Sequence, residues 1–270
     1  MTPRGARRGD GTLFRATLGG LLGLFALACW WAQDHRERRR LAGIHRVLAV
    51  FPHPDDETVA CGGTLRRLSA LQRDVTLLVL TRGERGPSRD RTATALGILR
   101  AAEMEAAAQH LGVRRLVQWR FPDGALTENA ALMHAQLETL VEELRPDLML
   151  TYGPDGLYGH PDHVACSAVV TSVRRRTHPS PSLWYVALPY ALRRTLVQLR
   201  TLPRGSASSR LAPAPSSAVF VFPVLASKIR AWRAHQSQSR ALGAGPGRLV
   251  PGWVIPLLQP FEFFHEVPAP

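Results

Sequence analysis

Short apolar runs rich in β-branched residues alternate with longer alanine-rich or amphipathic stretches from residue 46 to residue 176. The runs have the length and composition of buried strands, and they cover residues 46–51, 75–81, 115–119 and 147–151. The longer stretches read as helices, and they cover residues 57–72, 91–111, 129–144 and 161–175. Strands that alternate with helices form a mostly parallel sheet covered by helices on both faces. The sequence therefore predicts an α/β fold.

The pattern is less regular after residue 176. Further strands are predicted at residues 183–190, 218–222 and 261–267, and one helix is predicted at residues 226–242. Residues 204–217 are rich in Ser, Pro, Ala and Gly, a composition typical of a loop.

Two short clusters of histidines and carboxylates follow the first and fourth predicted strands. One is HPDDE at residues 53–57 and the other is YGHPDH at residues 158–163. Sites in α/β sheets lie beyond the carboxyl ends of the strands, so we expect both clusters to form one site. Two imidazoles and a carboxylate are a common ligand set for catalytic Zn²⁺, and a further carboxylate can serve as a general base. The alternative is two polar loops that contain histidines by chance.

An uncharged stretch at residues 17–32 precedes the first predicted strand. With its apolar neighbours it has about 20 residues, close to the length of a membrane-spanning helix, and arginines flank it. We expect a single-pass anchor in the cell membrane, with the domain boundary between segments 1–43 and 44–270. The orientation stays open, since positive residues flank both ends. A cleaved signal peptide, a lipoprotein signal ending at Cys29 and a buried helix are the alternatives.

The formal net charge is +13, which indicates anionic partners such as membrane lipid or nucleic acid. The chain has no nucleic-acid-binding motif, and a non-catalytic basic protein would leave both clusters unexplained. We therefore expect no nucleic-acid partner. The three cysteines, Cys29, Cys61 and Cys166, form neither a disulfide framework nor a CxxC zinc pattern.

Several motifs together resemble one known family. Residues 47–65 read VLAVFPHPDDETVACGGTL, and YGHPDH follows at residues 158–163. Three further matches are LTRGE at residues 80–84, FPDG at residues 121–124 and KIRAWRAHQSQ at residues 228–238. This set resembles the PIG-L/LmbE family of zinc-dependent de-N-acetylases over roughly residues 46–240. The resemblance implies a Rossmann-like fold and removal of an acetyl group from an N-acetylglucosamine conjugate.

The resemblance also implies roles for individual residues. His53, Asp56 and His163 would bind Zn²⁺, although such ligands also accept Fe²⁺, Co²⁺ or Ni²⁺. Asp55 would be the general base, and His160 would stabilise the oxyanion or protonate the leaving amine. Substrate contacts are expected from Arg100, Asp123 and Tyr158, and Asp162 would orient a histidine. For some of these residues structural roles are the alternatives: helix capping for the Asp55–Asp56 pair, a helix ion pair for Arg100 and a turn for Asp123.

The sequence as a whole thus predicts a membrane-anchored, zinc-dependent N-deacetylase. Its expected substrate is a small-molecule or lipid-linked amino sugar. The alternative substrate is a non-sugar N-acyl compound hydrolysed at the same metal site.

Overall fold

The computed structural model describes residues 31, 33–88, 91–198, 211–238 and 260–269. The chain divides into two units, residues 1–41 and residues 42–270. In the first unit, residues 33–41 form a helix, α1. The domain boundary after residue 43 stays a prediction.

The second unit contains a seven-stranded sheet of order β3-β2-β1-β4-β5-β7-β6. Its strands are β1 (Arg46–Phe51), β2 (Asp74–Thr81), β3 (Arg115–Phe121), β4 (Leu148–Tyr152), β5 (Ser182–Val186), β6 (Ser217–Phe220) and β7 (Phe261–Val267). Strands β1 to β5 pair in parallel, and β7 pairs antiparallel with both β5 and β6. The mostly parallel α/β sheet is therefore confirmed.

Helices cover both faces of the sheet. They are α2 (Asp56–Ala70), α3 (Ala93–Leu111), α4 (Ala130–Leu144), the short α5 (Gly156–Gly159), α6 (Pro161–Arg176), α7 (Tyr190–Gln198) and α8 (Leu225–Ala234). Leu48 and Val50 of β1 belong to a core cluster with buried side chains of α4 and α6. Side chains alternate along a strand, so Val47, Ala49 and Phe51 face the opposite side, where α2 contacts β1 and β2.

A buried ion pair fastens α2 to the C-terminal part of the chain. Helix α2 is kinked at Cys61 (φ −150°, ψ 19°), and beyond the kink the backbone N–H groups of Gly63 and Thr64 donate to Glu262 of β7 at 2.8 and 2.7 Å. Lys228 of α8 donates to the same carboxylate at 2.7 Å. The second half of α2 thus has a carboxylate at its N-terminus, where the helix dipole favours negative charge.

Two predicted elements are wrong at their ends. The helix predicted at residues 226–242 ends at Ala234, and the strand predicted at residues 183–190 also ends early. Residues 183–190 read as a single strand because they are rich in apolar and aromatic residues. In the structure the strand ends at Val186, and Tyr190 begins α7. Pro189 explains the break, because proline has no N–H to donate to a strand but is tolerated at the start of a helix.

The predicted cell-membrane location is contradicted. Within the described ranges, no helix has both the length and the apolar character needed to cross a bilayer. The stretch at residues 17–32 on which the anchor prediction rested lies outside the described residues, apart from Trp31.

Candidate active site

The first cluster occupies the turn between β1 and α2. Asp55 has φ 105° and ψ −28°, a conformation that costs a non-glycine residue on the order of 1–3 kcal/mol. Local hydrogen bonds hold this turn. The backbone N–H of His53 donates to Asp56 Oδ2 at 2.9 Å, and that of Asp55 donates to Glu57 Oε2 at 3.1 Å. The turn places the carboxylates of Asp55 and Asp56 side by side at the start of α2.

The second cluster lies between β4 and α6. His160 is the N-cap of α6, its Nδ1 accepts from the backbone N–H of Asp162 at 3.3 Å, and Pro161 occupies the first turn. Strands β1 and β4 are parallel neighbours, so the loops after them meet at the same edge of the sheet. The expectation that both clusters form one site is met: the ring centroids of His53 and His160 are 5.0 Å apart.

Three buried side chains form the candidate metal centre. The carboxylate of Asp56 lies between two imidazoles, with Oδ2 3.2 Å from His53 Nδ1 and Oδ1 3.4 Å from His163 Nε2. One ligand atom from each residue lies within 4.8 Å of the others. Tyr152, not anticipated from the sequence, donates its hydroxyl to Asp56 Oδ1 at 2.8 Å.

The hydrogen bonds of His163 fit a metal ligand. Its Nδ1 lies 3.2 Å from the carbonyl oxygen of Gly156, which can only accept, so the proton of the neutral ring sits on Nδ1. Burial is the largest of the effects that lower the pKa of His163 to about 4, so the ring is neutral near pH 7. Among the described residues, the buried Nε2 has no hydrogen-bond partner. Its lone pair is therefore directed at the space beside Asp56.

Two further carboxylates lie beside Nε2 of His53, the ring nitrogen that does not face Asp56, and their positions fit a role of His53 as a metal ligand. Its Nε2 lies 3.1 Å from Asp162 Oδ2 and 3.2 Å from Asp123 Oδ1. Burial by itself lowers the pKa of His53, but hydrogen bonds to Asp123, Asp162 and Asp56 outweigh it and raise the pKa well above its usual value. Because these carboxylates accept the Nε2 proton, Nδ1 is the nitrogen of His53 that can face a cation.

A second group of potential ligands, His53, His160 and Asp162, also lies within 4.8 Å. It lacks His163, whose buried Nε2 has no hydrogen-bond partner among the described residues, and its Asp162 oxygens and His160 Nδ1 are engaged in hydrogen bonds. Asp162 accepts from the backbone N–H groups of Gly124 at 2.7 Å and Leu126 at 3.2 Å, and His160 Nδ1 accepts from a backbone N–H. The group around Asp56 is therefore the better candidate for a cation.

Asp55 lies next to this centre. Burial raises the pKa of Asp55 to about 7. The positive charge of Arg100 lowers this pKa, and the negative charge of Asp56 raises it. The guanidinium of Arg100 is 3.5 Å from Asp55 Oδ2. A carboxyl group with a pKa near neutrality can accept and release a proton at neutral pH, which suits a general base.

His160 and Tyr158 belong to the second cluster. Burial, together with the charge of His53, lowers the pKa of His160. Burial and the charges of Asp56 and Asp55 raise the pKa of Tyr158, so its hydroxyl keeps its proton. Their ring centroids are 6.1 Å apart, and each ring also contacts His163. Both side chains are partly exposed, unlike the metal-centre residues.

Arg100 and Asp123 are also buried, next to the candidate active site. Arg100 is 4% exposed, and its guanidinium donates to the carbonyl oxygens of Gly83 at 2.8 Å and Pro54 at 2.5 Å. Asp123 accepts from the backbone N–H of Arg85 at 2.8 Å in addition to its contact with His53. Their substrate contacts stay predictions, as do the roles of the other site residues.

Glu57 and His235 form a buried pair behind Asp55. His235 Nε2 is 3.1 Å from Glu57 Oε1, and both side chains are fully or almost fully buried. The sequence indicated His235 through the match at residues 228–238 but did not distinguish a structural role from a catalytic one. The contact links the segment after α8 to the turn that carries Asp55.

Comparison with known proteins gives the same family as the motifs. The family model PIG-L, described as GlcNAc-PI de-N-acetylase, matches residues 48–174. The 1D-myo-inositol 2-acetamido-2-deoxy-alpha-D-glucopyranoside deacetylase of Corynebacterium glutamicum is 34% identical over 223 residues, which cover 72% of this chain and 74% of the relative.

Solved structures share the fold. The N,N'-diacetylchitobiose deacetylase of Pyrococcus horikoshii has a TM-score of 0.58 at 20% identity, covering 84% of this chain and 85% of its own. The A40926 pseudoaglycone deacetylase Dbv21 has a TM-score of 0.61 at 22% identity, covering 83% and 98%. The chain therefore belongs to the PIG-L/LmbE family of de-N-acetylases, and the expectation of an enzyme that hydrolyses amide bonds is confirmed.

Proposed function

We propose that this protein is a metal-dependent hydrolase that removes the acetyl group from an N-acetylglucosamine conjugate. The observation that carries the proposal is the position of Asp55. Its carboxyl group is adjacent to a buried set of two imidazoles and a carboxylate, whose free His163 Nε2 fits a cation. The names of the relatives support an acetylated amino sugar as substrate.

His53, Asp56 and His163 would hold the cation. Two nitrogen ligands and one oxygen ligand suit Zn²⁺, and Fe²⁺, Co²⁺ or Ni²⁺ can occupy similar sites. The bound ion would supply Lewis acidity, which polarises the amide carbonyl and favours ionisation of a water molecule. Asp162 and Asp123 would keep the proton of His53 on Nε2.

The remaining steps are proton transfers by side chains of this protein. Asp55 would accept a proton from the water that attacks the acetyl carbonyl carbon. His160 would then donate a hydrogen bond from Nε2 to the oxyanion, because a neutral ring whose Nδ1 accepts from the backbone N–H of Asp162 carries its proton on Nε2. The leaving amine would take up the proton that Asp55 accepted from the water. The hydroxyl of Tyr158 would donate to the carbonyl oxygen. The C–N bond breaks, and acetate and the free amine leave.

One observation favours a second candidate substrate. Arg100 and Asp123, the expected sugar contacts, are both engaged by neighbouring groups of the protein. An amide that lacks the sugar would need neither side chain. The runner-up is therefore a non-sugar N-acyl compound hydrolysed at the same site.

Metal analysis coupled to acetate release tests the proposal. The purified protein is stripped of metal, reloaded separately with Zn²⁺, Co²⁺, Ni²⁺ or Fe²⁺, and assayed on soluble and lipid-linked N-acetylglucosamine conjugates and N-acyl amino acids. His53→Ala, Asp56→Ala and His163→Ala should each lower the metal bound per chain. His110→Ala, an exposed histidine of α3, is the matched control.

Two results would count against the proposal. Full metal content in all three variants would exclude these ligands. Acetate release from N-acyl amino acids alone would transfer the proposal to the runner-up substrate.

A further inference from the structure

The loop between β4 and α6 has an unusual backbone. Gly156 has φ 59°, and Leu157 has φ 67° and ψ −44°. Glycine adopts positive φ readily, but leucine does so only when its surroundings hold it there. Packing of the buried Leu157 side chain and hydrogen bonds to the backbone of the loop therefore hold this shape.

This shape sets the positions of three predicted site residues. The carbonyl of Gly156 points at His163 Nδ1, 3.2 Å away, and so orients that ring. Tyr158 follows Leu157 directly, and the N–H of Gly159 donates to the carbonyl oxygen of Asp155 at 2.9 Å just before His160. A change at Leu157 would therefore reach the metal centre and the proton donors together.

An arginine from α7 fastens the loop. Arg193 Nη1 donates to Asp155 Oδ2 at 2.7 Å and to the carbonyl oxygen of Leu157 at 2.6 Å. Arg193 is 2% exposed and Asp155 is 4% exposed. The pair is thus a buried, hydrogen-bonded ion pair, and loss of one member leaves an uncompensated charge in the interior. The two contacts of Arg193, with Asp155 and with the carbonyl oxygen of Leu157, hold both ends of the positive-φ segment formed by residues 156 and 157.

We propose that Arg193 is a positioning residue, which keeps Leu157 in its positive-φ conformation and thereby orients His163, Tyr158 and His160. Helix α7 is then the part of the fold that supports the second cluster. The consequences for turnover and for metal binding rest on the proposed function, but the consequence for loop order does not.

The test compares Arg193→Met with Arg194→Met, since Arg194 is the exposed neighbour on the same helix. Hydrogen exchange is measured by peptide, and Zn²⁺ affinity is measured by competition with a chelator. We expect Arg193→Met to speed exchange in residues 153–160 and to weaken Zn²⁺ binding about 10–100-fold, the usual scale for a partner of a metal ligand. Arg194→Met should match the wild type. In the acetate assay, kcat should fall more than KM changes.

A rescue variant separates this role from general stability. Leu157→Gly removes the penalty for positive φ, so adding it to Arg193→Met should recover part of the Zn²⁺ affinity. If Arg193→Met does not fold, Asp155→Asn replaces it, because the amide keeps the shape and an acceptor but loses the charge.

Exchange in residues 153–160 and Zn²⁺ affinity equal to those of Arg194→Met would overturn the inference. An equal loss of protection throughout the domain, without rescue by Leu157→Gly, would also overturn it. Hydrogen exchange uses neither substrate nor metal, so a failure of the proposed function leaves a different signature: no acetate is released, but exchange in residues 153–160 still differs between Arg193→Met and Arg194→Met.

Discussion

The two clusters meet at one edge of the sheet, but the protein supports them in different ways. The first is a tight turn that runs from β1 straight into α2. It is supported by Glu57, which belongs to the cluster itself, and by Arg100 of α3, which donates to the carbonyl oxygen of Pro54. The second follows a longer loop with two successive positive-φ residues, held by Arg193 from a distant helix. Reactive groups can thus be contiguous in sequence while the groups that orient them are not.

The difference has a physical origin. In the first cluster, the backbone enters α2 directly at Asp56. The carboxylate of Glu57, the next residue of the helix, accepts a hydrogen bond from the backbone N–H of Asp55. In the second, His160 caps α6, and the short α5 before it includes two residues with non-helical backbone angles, Leu157 and Tyr158, so it forms no regular helical turn. A cation from outside the motif, Arg193, orders this segment. We therefore expect substitutions in the first cluster to affect chemistry and substitutions around the second to affect loop order.

The largest effect is expected from Asp55→Asn, which removes a proton acceptor from the first cluster and keeps its shape. Turnover should fall by roughly 10²–10⁴-fold, the usual contribution of a general base. Bound metal should remain at the wild-type level, because Asp55 is not one of the proposed ligands. The measurements are kcat from acetate release and metal per chain. Normal turnover in this variant would rule out Asp55 as the general base.

A smaller effect is expected when the support of the first cluster is removed. His235→Phe keeps the volume but leaves Glu57 as a buried carboxylate without its imidazole partner, which should cost about 3–5 kcal/mol in the free energy of unfolding. Urea unfolding measures this cost. Glu57→Gln added to His235→Phe should recover part of it, because no buried charge is left.

The same variant also tests whether the two supports are independent. Hydrogen exchange in His235→Phe should rise in residues 53–57 and stay unchanged in residues 153–160. Equal loss of protection in both segments would mean that the clusters share one support, and the comparison between them would be wrong.

Much of the fold could be predicted because it depends on local patterns. The apolar run at residues 46–51 coincides with β1, and residues 261–267 coincide with β7. The helix predicted at residues 161–175 likewise begins where α6 begins. The end of β5 was misplaced because the apolar composition continues to Tyr190, and only Pro189 signals the break.

The site was predictable where its residues are contiguous and hidden where they are not. His53, Asp55, Asp56, His160 and His163 stand in two short motifs, and the parallel pairing of β1 with β4 brings these motifs together. Tyr152 and Arg193 carry no such signal. Tyr152 reads as the end of an apolar strand, and Arg193 is one of many arginines, in a helix without a family motif. Their partners, Asp56 and Asp155, become evident only from the three-dimensional contacts.

The smallest effect concerns the pH dependence of the first cluster's support. Burial alone lowers the pKa of His235, but the charge and hydrogen bond of Glu57 outweigh it, and Asp55 and Glu103 act in the same direction, so the pKa is raised above 6.5. A histidine with a raised folded-state pKa binds more proton in the folded than in the unfolded protein. Its stabilisation is fully present below about pH 6.5, the unfolded-state value, and is lost as pH rises through the folded-state pKa.

The measurement is the free energy of unfolding of metal-free protein, in chelator, from pH 6 to pH 9. His53, His160 and His163 are present in both the wild type and His235→Phe. The charge of His235 lowers the pKa of Asp55, so the difference between the two curves reports on His235 together with Glu57 and Asp55. The wild type should lose its advantage over the variant as pH rises. Parallel curves would show that His235 is neutral in the folded protein. Its contact with Glu57 would then be a neutral hydrogen bond, and this pair, unlike Arg193 and Asp155, would not be an ion pair.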